Sequence, residues 1–274
     1  IHHPKSYWYR DMTEFTKLLV GFQRDGDAWT VTVSDDWLQG RTVYGGLGAA
    51  LCLEATQRSI PDLPPLRSAQ VSFAGPATGR LRLKPSELRR GKSTVFTSTD
   101  LSGDDGFATR AMLCFGAARS SIMAVDTVGA QTPAPPDQCP PFFNGAPPFL
   151  HFLQHIEGKS AGRNLPFSGA AEPDMTIWLR HRDPALKPSL VALLALADAP
   201  PPGVLAMAAK PGAISTMTWS IDLLTDEIKT DDGWWLVRVT ADSAADGYTS
   251  QTMTVWNAKG EPTMISRQHV AMFF

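Results

Sequence analysis

Tyr44-Gly45-Gly46-Leu47-Gly48-Ala49-Ala50-Leu51-Cys52-Leu53-Glu54-Ala55 is apolar on nearly every face. A helix of that kind has no side to give to solvent and must be wrapped by other elements. The flanking sequence supplies them. A short helical segment is expected near Thr13 to Val20, and Ala28 to Val33 alternates like a half-buried strand. Strand candidates follow the helix at Arg67 to Phe73, Arg80 to Arg89, Ser93 to Leu101 and Phe107 to Ala117, separated by the turn signals Arg90-Gly91-Lys92 and Gly103-Asp104-Asp105-Gly106.

The pattern breaks over Ser120 to Pro166, where a Pro-rich stretch from Thr132 to Pro148 can form neither a central strand nor a regular helix. It then begins again. A strand is expected near Met175 to Arg180 and a helix near Ser189 to Asp198, ended by Pro200-Pro201-Pro202. Strands near Ile214 to Leu224, Trp234 to Ala244, Thr249 to Asn257 and Thr263 to Phe273 complete the second half. One buried helix followed by long antiparallel strands thus occurs twice, which points to an internal duplication whose units pair their sheets and shield their edges. The units are expected at residues 12–119 and 167–274, with 120–166 as a linker packed over the surface. Residues 1–11 read as a leader or upstream extension.

Composition narrows the function. The 274 residues are enough for one large domain or two small ones, and 43% hydrophobic with 19% charged residues is ordinary for a folded chain. Lys plus Arg number 25 against 27 Asp plus Glu, so there is no global basic field to hold nucleic acid. Cys52, Cys114 and Cys139 are widely spaced without a CxxC pair, and read as thiols of a reducing compartment. No apolar run approaches the roughly 20 residues needed to cross a bilayer, so a cytoplasmic protein without a membrane partner is expected. GxxxxGK[ST], GxGxxG, GxSxG and HExxH are all absent, which removes the usual support for nucleotide, serine hydrolase and zinc chemistry. No metal or cofactor is expected. His151 and His155 have helical spacing but no third ligand, and are expected on a surface helix.

The order of elements resembles the hotdog fold, an α+β fold in which an antiparallel sheet wraps a central helix. Its duplicated form, a tandem double hotdog with two antiparallel sheets each around one helix, is similar to the acyl-CoA thioesterase II family. Val43-Tyr44-Gly45-Gly46 looks like that family's [HFY]-Gly-Gly helix start, Ser68 to Phe73 with Gly75-Pro76 like its second strand and turn, and Leu88 to Ser93 like its basic hairpin. Ala197-Asp198, Ser215-Thr216-Met217 and Ile265-Ser266-Arg267-Gln268 fall where the family keeps an Asp, Thr and Gln site. The resemblance implies an acyl-CoA thioesterase with Asp198, Thr216 and Gln268 as catalytic residues.

Thioester hydrolysis needs a positioned water, a group that orients or deprotonates it, and a donor for the oxyanion. A carboxylate, an amide and a hydroxyl can divide these duties. Asp198 lies at the edge of the helix's apolar stripe, in a last turn whose dipole disfavours an anion. By period two, Thr216 shares a strand face with Ile214, Thr218, Ser220 and Asp222, while Gln268 aligns with Met264, Ser266, Val270 and Met272 and needs partners for a half-buried amide. Taken singly, each also has an ordinary structural reading; together they point to a site. Gly45 and Gly46 allow a ligand or a sheet to approach the helix start closely. Arg89 and Arg90, with Lys92, Arg180 and Arg182, are candidate partners for the phosphates of coenzyme A. An enoyl-CoA hydratase would want an Asp–His pair that the sequence lacks, and a non-catalytic acyl-CoA or lipid-binding hotdog is the alternative. A homodimer is the expected assembly.

Overall fold

A computed structural model describes residues 12–274, so the expectation for residues 1–11 lies outside the described residues. The first half runs through α1 (Phe15–Val20), β1 (Gln23–Asp25), β2 (Ala28–Val33), β3 (Leu38–Gln39), β4 (Thr42–Val43), α2 (Gly45–Ser59), β5 (Leu66–Phe73), β6 (Gly79–Arg90), β7 (Thr94–Gly103) and β8 (Gly106–Gly116). The second half has β9 (Ile156–Ser160), β10 (Asp174–His181), α3 (Leu190–Ala197), β11 (Ala213–Leu223), β12 (Trp235–Ala245), β13 (Tyr248–Asn257) and β14 (Pro262–Phe273).

Twelve strands form one antiparallel sheet in the order β1-β2-β6-β7-β8-β5-β11-β14-β13-β12-β10-β9, while β3 and β4 pair separately. Each half contributes six strands, with β1 and β9 at the outer edges, β2 and β10 next to them, and the strand that follows the helix, β5 or β11, at the seam. The two sheets expected from the sequence are therefore a single one. The physical reason lies at the seam: β5 and β11 would each be an open edge, and they pair antiparallel from Ser72↔Thr218 to Ser68↔Asp222. Edge pairing removes two rows of unsatisfied backbone groups from solvent.

α2 and α3 pack on each other and share one core with the sheet. α2 is buried from Gly46 through Leu53, as its sequence requires, and α3 is buried from Val191 through Ala197. Each fully buried leucine contributes about 1.5–3 kcal/mol through removal from water. The α3 start is fixed by Ser189, whose Oγ accepts the Ala192 N–H at 3.1 Å, a cap worth roughly 1 kcal/mol.

Between β8 and β9 the chain carries only short 3₁₀ turns, one of them at His151–His155. The expected surface position of His155 is corrected here. Its ring is buried, stacks on Trp37 at 3.9 Å between centroids, and places Nε2 2.9 Å from Asp36 Oδ2. The aromatic face and the carboxylate offset the cost of taking the imidazole out of water.

Candidate active site

The end of α3 meets the start of α2. Asp198 is the C-cap of α3, and the prolines that follow prevent the helix from continuing over it. Gly45 and Gly46 open α2 directly against it: a Cβ on Gly45 would sit 2.9 Å from Asp198 Oδ2, and one on Gly46 would sit 2.9 Å from Asp198 Cβ. The Gly46 backbone N–H faces the Asp198 carboxylate and pulls its pKa down. The unfavourable dipole of α3 is thus met by the favourable one of α2.

From β14, Gln268 Nε2 donates to Asp198 Oδ1 at 2.5 Å. Its own Oε1 accepts from Gln251 Nε2 at 2.7 Å, so the amide is 5% exposed yet bonded at both ends. Burial pushes the Asp198 carboxyl up to about 7, against the Gln268 and Gly46 hydrogen bonds, which pull it down. A carboxylate that titrates near neutrality is suited to take a proton from water at physiological pH.

Asp198 lines a cleft of about 710 Å³ together with Arg41, Tyr44, Phe73, Asp105 and Thr216. Thr216 is in this cleft, but not for the reason its period suggested. A bulge shifts the register between Thr216 and Thr218, so Thr218, Ser220 and Asp222 face outward while Thr216 stays on the side of Trp219 and Ile221. A bulge adds one residue and inverts the alternation beyond it. Among the described residues, no side-chain hydrogen bond joins Thr216 to Asp198 or Gln268.

The basic hairpin lies elsewhere. Arg90 binds Glu87 and the carbonyls of Pro61 and Asp62, just past the C-terminal end of α2, whereas the cleft is at its N-terminus. Fifteen helical residues separate the two ends by about 22 Å at 1.5 Å per residue. Neither Arg89 nor Arg90 lines the cleft, and Arg180 is engaged with Glu157 and Trp234. The cation at the cleft is Arg41, in the turn between β3 and β4, which sequence reasoning passed over.

Two further residues were missed. Tyr44 is fully buried, stacks on Phe152 at 3.9 Å, and has a hydroxyl without a partner; burial raises its pKa, and the Asp198 charge adds to this. Gln251, an amide on the apolar inward face of β13, stands directly opposite Gln268 in the ladder. Two glutamines, each in the middle of an apolar strand face, were the legible sign.

Comparison with solved structures shows the fold to be the hotdog fold. A conserved protein of unknown function with a hot dog fold from Alicyclobacillus acidocaldarius superposes with a TM-score of 0.85 at 25% identity, covering 96% of this chain and 99% of that one. An acyl-CoA thioesterase II from Mycobacterium marinum gives 0.72 at 17% identity, covering 94% and 98%. A dehydratase domain from Pseudomonas fluorescens gives 0.55 at 14% identity, covering 92% and 97%, so the fold alone does not decide the chemistry. A search of curated proteins finds no match. The family assignment comes from the sequence: the acyl-CoA thioesterase N-terminal domain model matches residues 33–116 and the C-terminal domain model residues 136–272. The chain belongs to the acyl-CoA thioesterase II-like family.

Proposed function

We propose that the protein is an acyl-CoA thioesterase that hydrolyses a fatty or other acyl-CoA to the free acid and CoA. On this reading it is a tandem double hotdog, with units at 12–119 and 167–274 joined by the 120–166 segment. A cytoplasmic homodimer is proposed with it, in keeping with three free cysteines. The observation that carries the proposal is the Asp198 carboxylate, raised to about 7, held by Gln268 and lining a substrate-sized cleft.

Asp198 accepts a proton from water as the water oxygen attacks the thioester carbonyl carbon. The C–S bond of the resulting tetrahedral species breaks, the carboxylic acid forms, and the proton passes to the departing CoA thiolate. Gln268 orients Asp198, and Thr216, which lines the cleft without a bond to the carboxylate, hydrogen-bonds the water. With the Gly46 N–H given to Asp198, Gly45 is left as the backbone donor assigned to the substrate. Arg41 meets the phosphates of coenzyme A. No part of this involves a metal or a cofactor.

The test is thiol release from a panel of acyl-CoA thioesters of different chain length and aromatic content. Turnover of at least one class supports the reading. Tight acyl-CoA binding without thiol release would show a non-catalytic binder instead.

A further inference from the structure

The amide of Gln268 has two possible orientations, and only one gives Asp198 a donor. Either the NH2 or the carbonyl could face the carboxyl, and a neutral carboxylic acid is satisfied by the carbonyl, to which it can donate its own proton. Something must hold the NH2 toward Asp198 even when the acid is protonated. The chain of partners behind Gln268 has a fixed polarity. The Gly203 backbone N–H donates to Gln251 Oε1 at 3.0 Å, Gln251 Nε2 donates to Gln268 Oε1 at 2.7 Å, and Gln268 Nε2 donates to Asp198 Oδ1 at 2.5 Å. An N–H of the main chain cannot exchange its donor for an acceptor. Gly203 is itself packed closely against backbone, since a Cβ there would meet the Pro173 carbonyl oxygen at 2.5 Å and the Ala241 nitrogen at 2.9 Å. The Gln251 amide also faces the Met253 sulfur at 3.9 Å, a weak acceptor that suits its NH2 side.

We infer that Gln251 is a positioning residue that transmits the polarity of the Gly203 N–H through Gln268, and so keeps Asp198 facing a donor in both of its protonation states. The inference rests on the proposed role of Asp198. Its consequence is that Gln251 opposes protonation of Asp198: with Oδ1 facing an NH2 that cannot turn, Gln268 can offer no acceptor to the acid, and the proton is confined to Oδ2. The other charged or titratable groups in the cleft are Tyr44, Arg41 and Asp105, and none of them belongs to this chain of bonds.

The experiment is a 13C titration of the Asp198 carboxyl, together with the pH profile of kcat/KM, for the wild type and Gln251→Met. Methionine keeps the length and loses the hydrogen bonds, so Gln268 is free to turn when Asp198 is protonated. The Asp198 midpoint is expected to rise by about one pH unit, the scale of one hydrogen bond. The acid limb of the rate should move with it. An unchanged midpoint overturns the inference. The titration needs no substrate, so absence of turnover in the wild type counts against the proposed function only. If Gln251→Met does not fold, Gln251→Glu retains the acceptor for Gly203. Once ionised, that glutamate draws the Gln268 NH2 away from Asp198, so the rate should fall with rising pH; a wild-type plateau in this variant also overturns the inference.

Discussion

Gly46, in the first half of the chain, lies directly against Asp198, in the second: a Cβ on Gly46 would sit 2.9 Å from Asp198 Cβ. The site therefore belongs to neither half alone. It exists because α2 and α3 pack together and bring the start of one against the end of the other.

This contact makes Gly46 intolerant of a side chain. A Cβ there would lie 2.5 Å from Tyr44 Oη, on a ring held by its stack with Phe152, and 2.9 Å from Asp198 Cβ. Gly46→Ala is expected to cost roughly 1–3 kcal/mol, as overpacking does, and to lower kcat by displacing Asp198. Gly48→Ala is the control, because its Cβ would meet only Leu101 Cδ1 at 3.9 Å. That variant should fold at least as well as the wild type, with up to about 1 kcal/mol gained from helix propensity. Thermal unfolding and kcat on the two variants decide the point.

The raised Asp198 pKa fixes the direction of the pH dependence. As a base the residue works ionised, so kcat/KM should fall tenfold per unit as pH drops below about 7 and level off above it. Gln268→Leu removes a hydrogen bond that lowers this pKa, and should move the limb upward. A limb near 4, the ordinary carboxylate range, would show that Asp198 is solvated.

The same pKa makes the site costly to stability. A carboxyl whose folded value of about 7 lies above its ordinary value of 3.8 favours the folded state below 3.8, and that contribution is lost as pH rises through about 7. Asp198→Asn removes the charge and keeps the shape. It should be more stable than the wild type at pH 8, by on the order of 2–4 kcal/mol after allowing for solvent in the cleft, and no more stable at pH 4. Denaturant unfolding at both pH values measures the difference.

Arg41, and neither Arg89 nor Arg90, is expected to bind the phosphates. Arg41→Gln should raise KM for acyl-CoA roughly 2- to 5-fold, the scale of an exposed charge pair, with an effect that shrinks as salt is added. Arg89→Gln and Arg90→Gln should leave KM unchanged, since that turn lies beyond the far end of α2. Steady-state kinetics at two ionic strengths separates the cases.

The sequence carried the elements well, because alternation and punctuation are local properties. Each expected strand lies within a few residues of the observed one, and the Ser189 start and proline stop of α3 were legible as such. Asp198 and Gln268 could be named as candidates through the family resemblance; an acid in a last turn and an amide on an apolar strand face stand out from their surroundings, but each alone has an ordinary structural reading. That the two units pair their sheets was legible from the duplication, but which strands form the seam was not, since β5 and β11 carry nothing in their own residues that names the partner. The face of Thr216 was misread because a one-residue bulge leaves no mark in composition. Arg89 and Arg90 were chosen for their charge and for a resemblance to the family's basic hairpin, and neither says which end of α2 a turn will occupy.

The most direct test of the central claim is the single-turnover rate of Asp198→Asn on the best acyl-CoA substrate at pH 8, where the variant is expected to be well folded. Loss of a general base should lower the rate by about 10²–10⁴-fold, with acyl-CoA binding retained. A rate within a few-fold of the wild type would contradict the assignment of Asp198 as the residue that activates water.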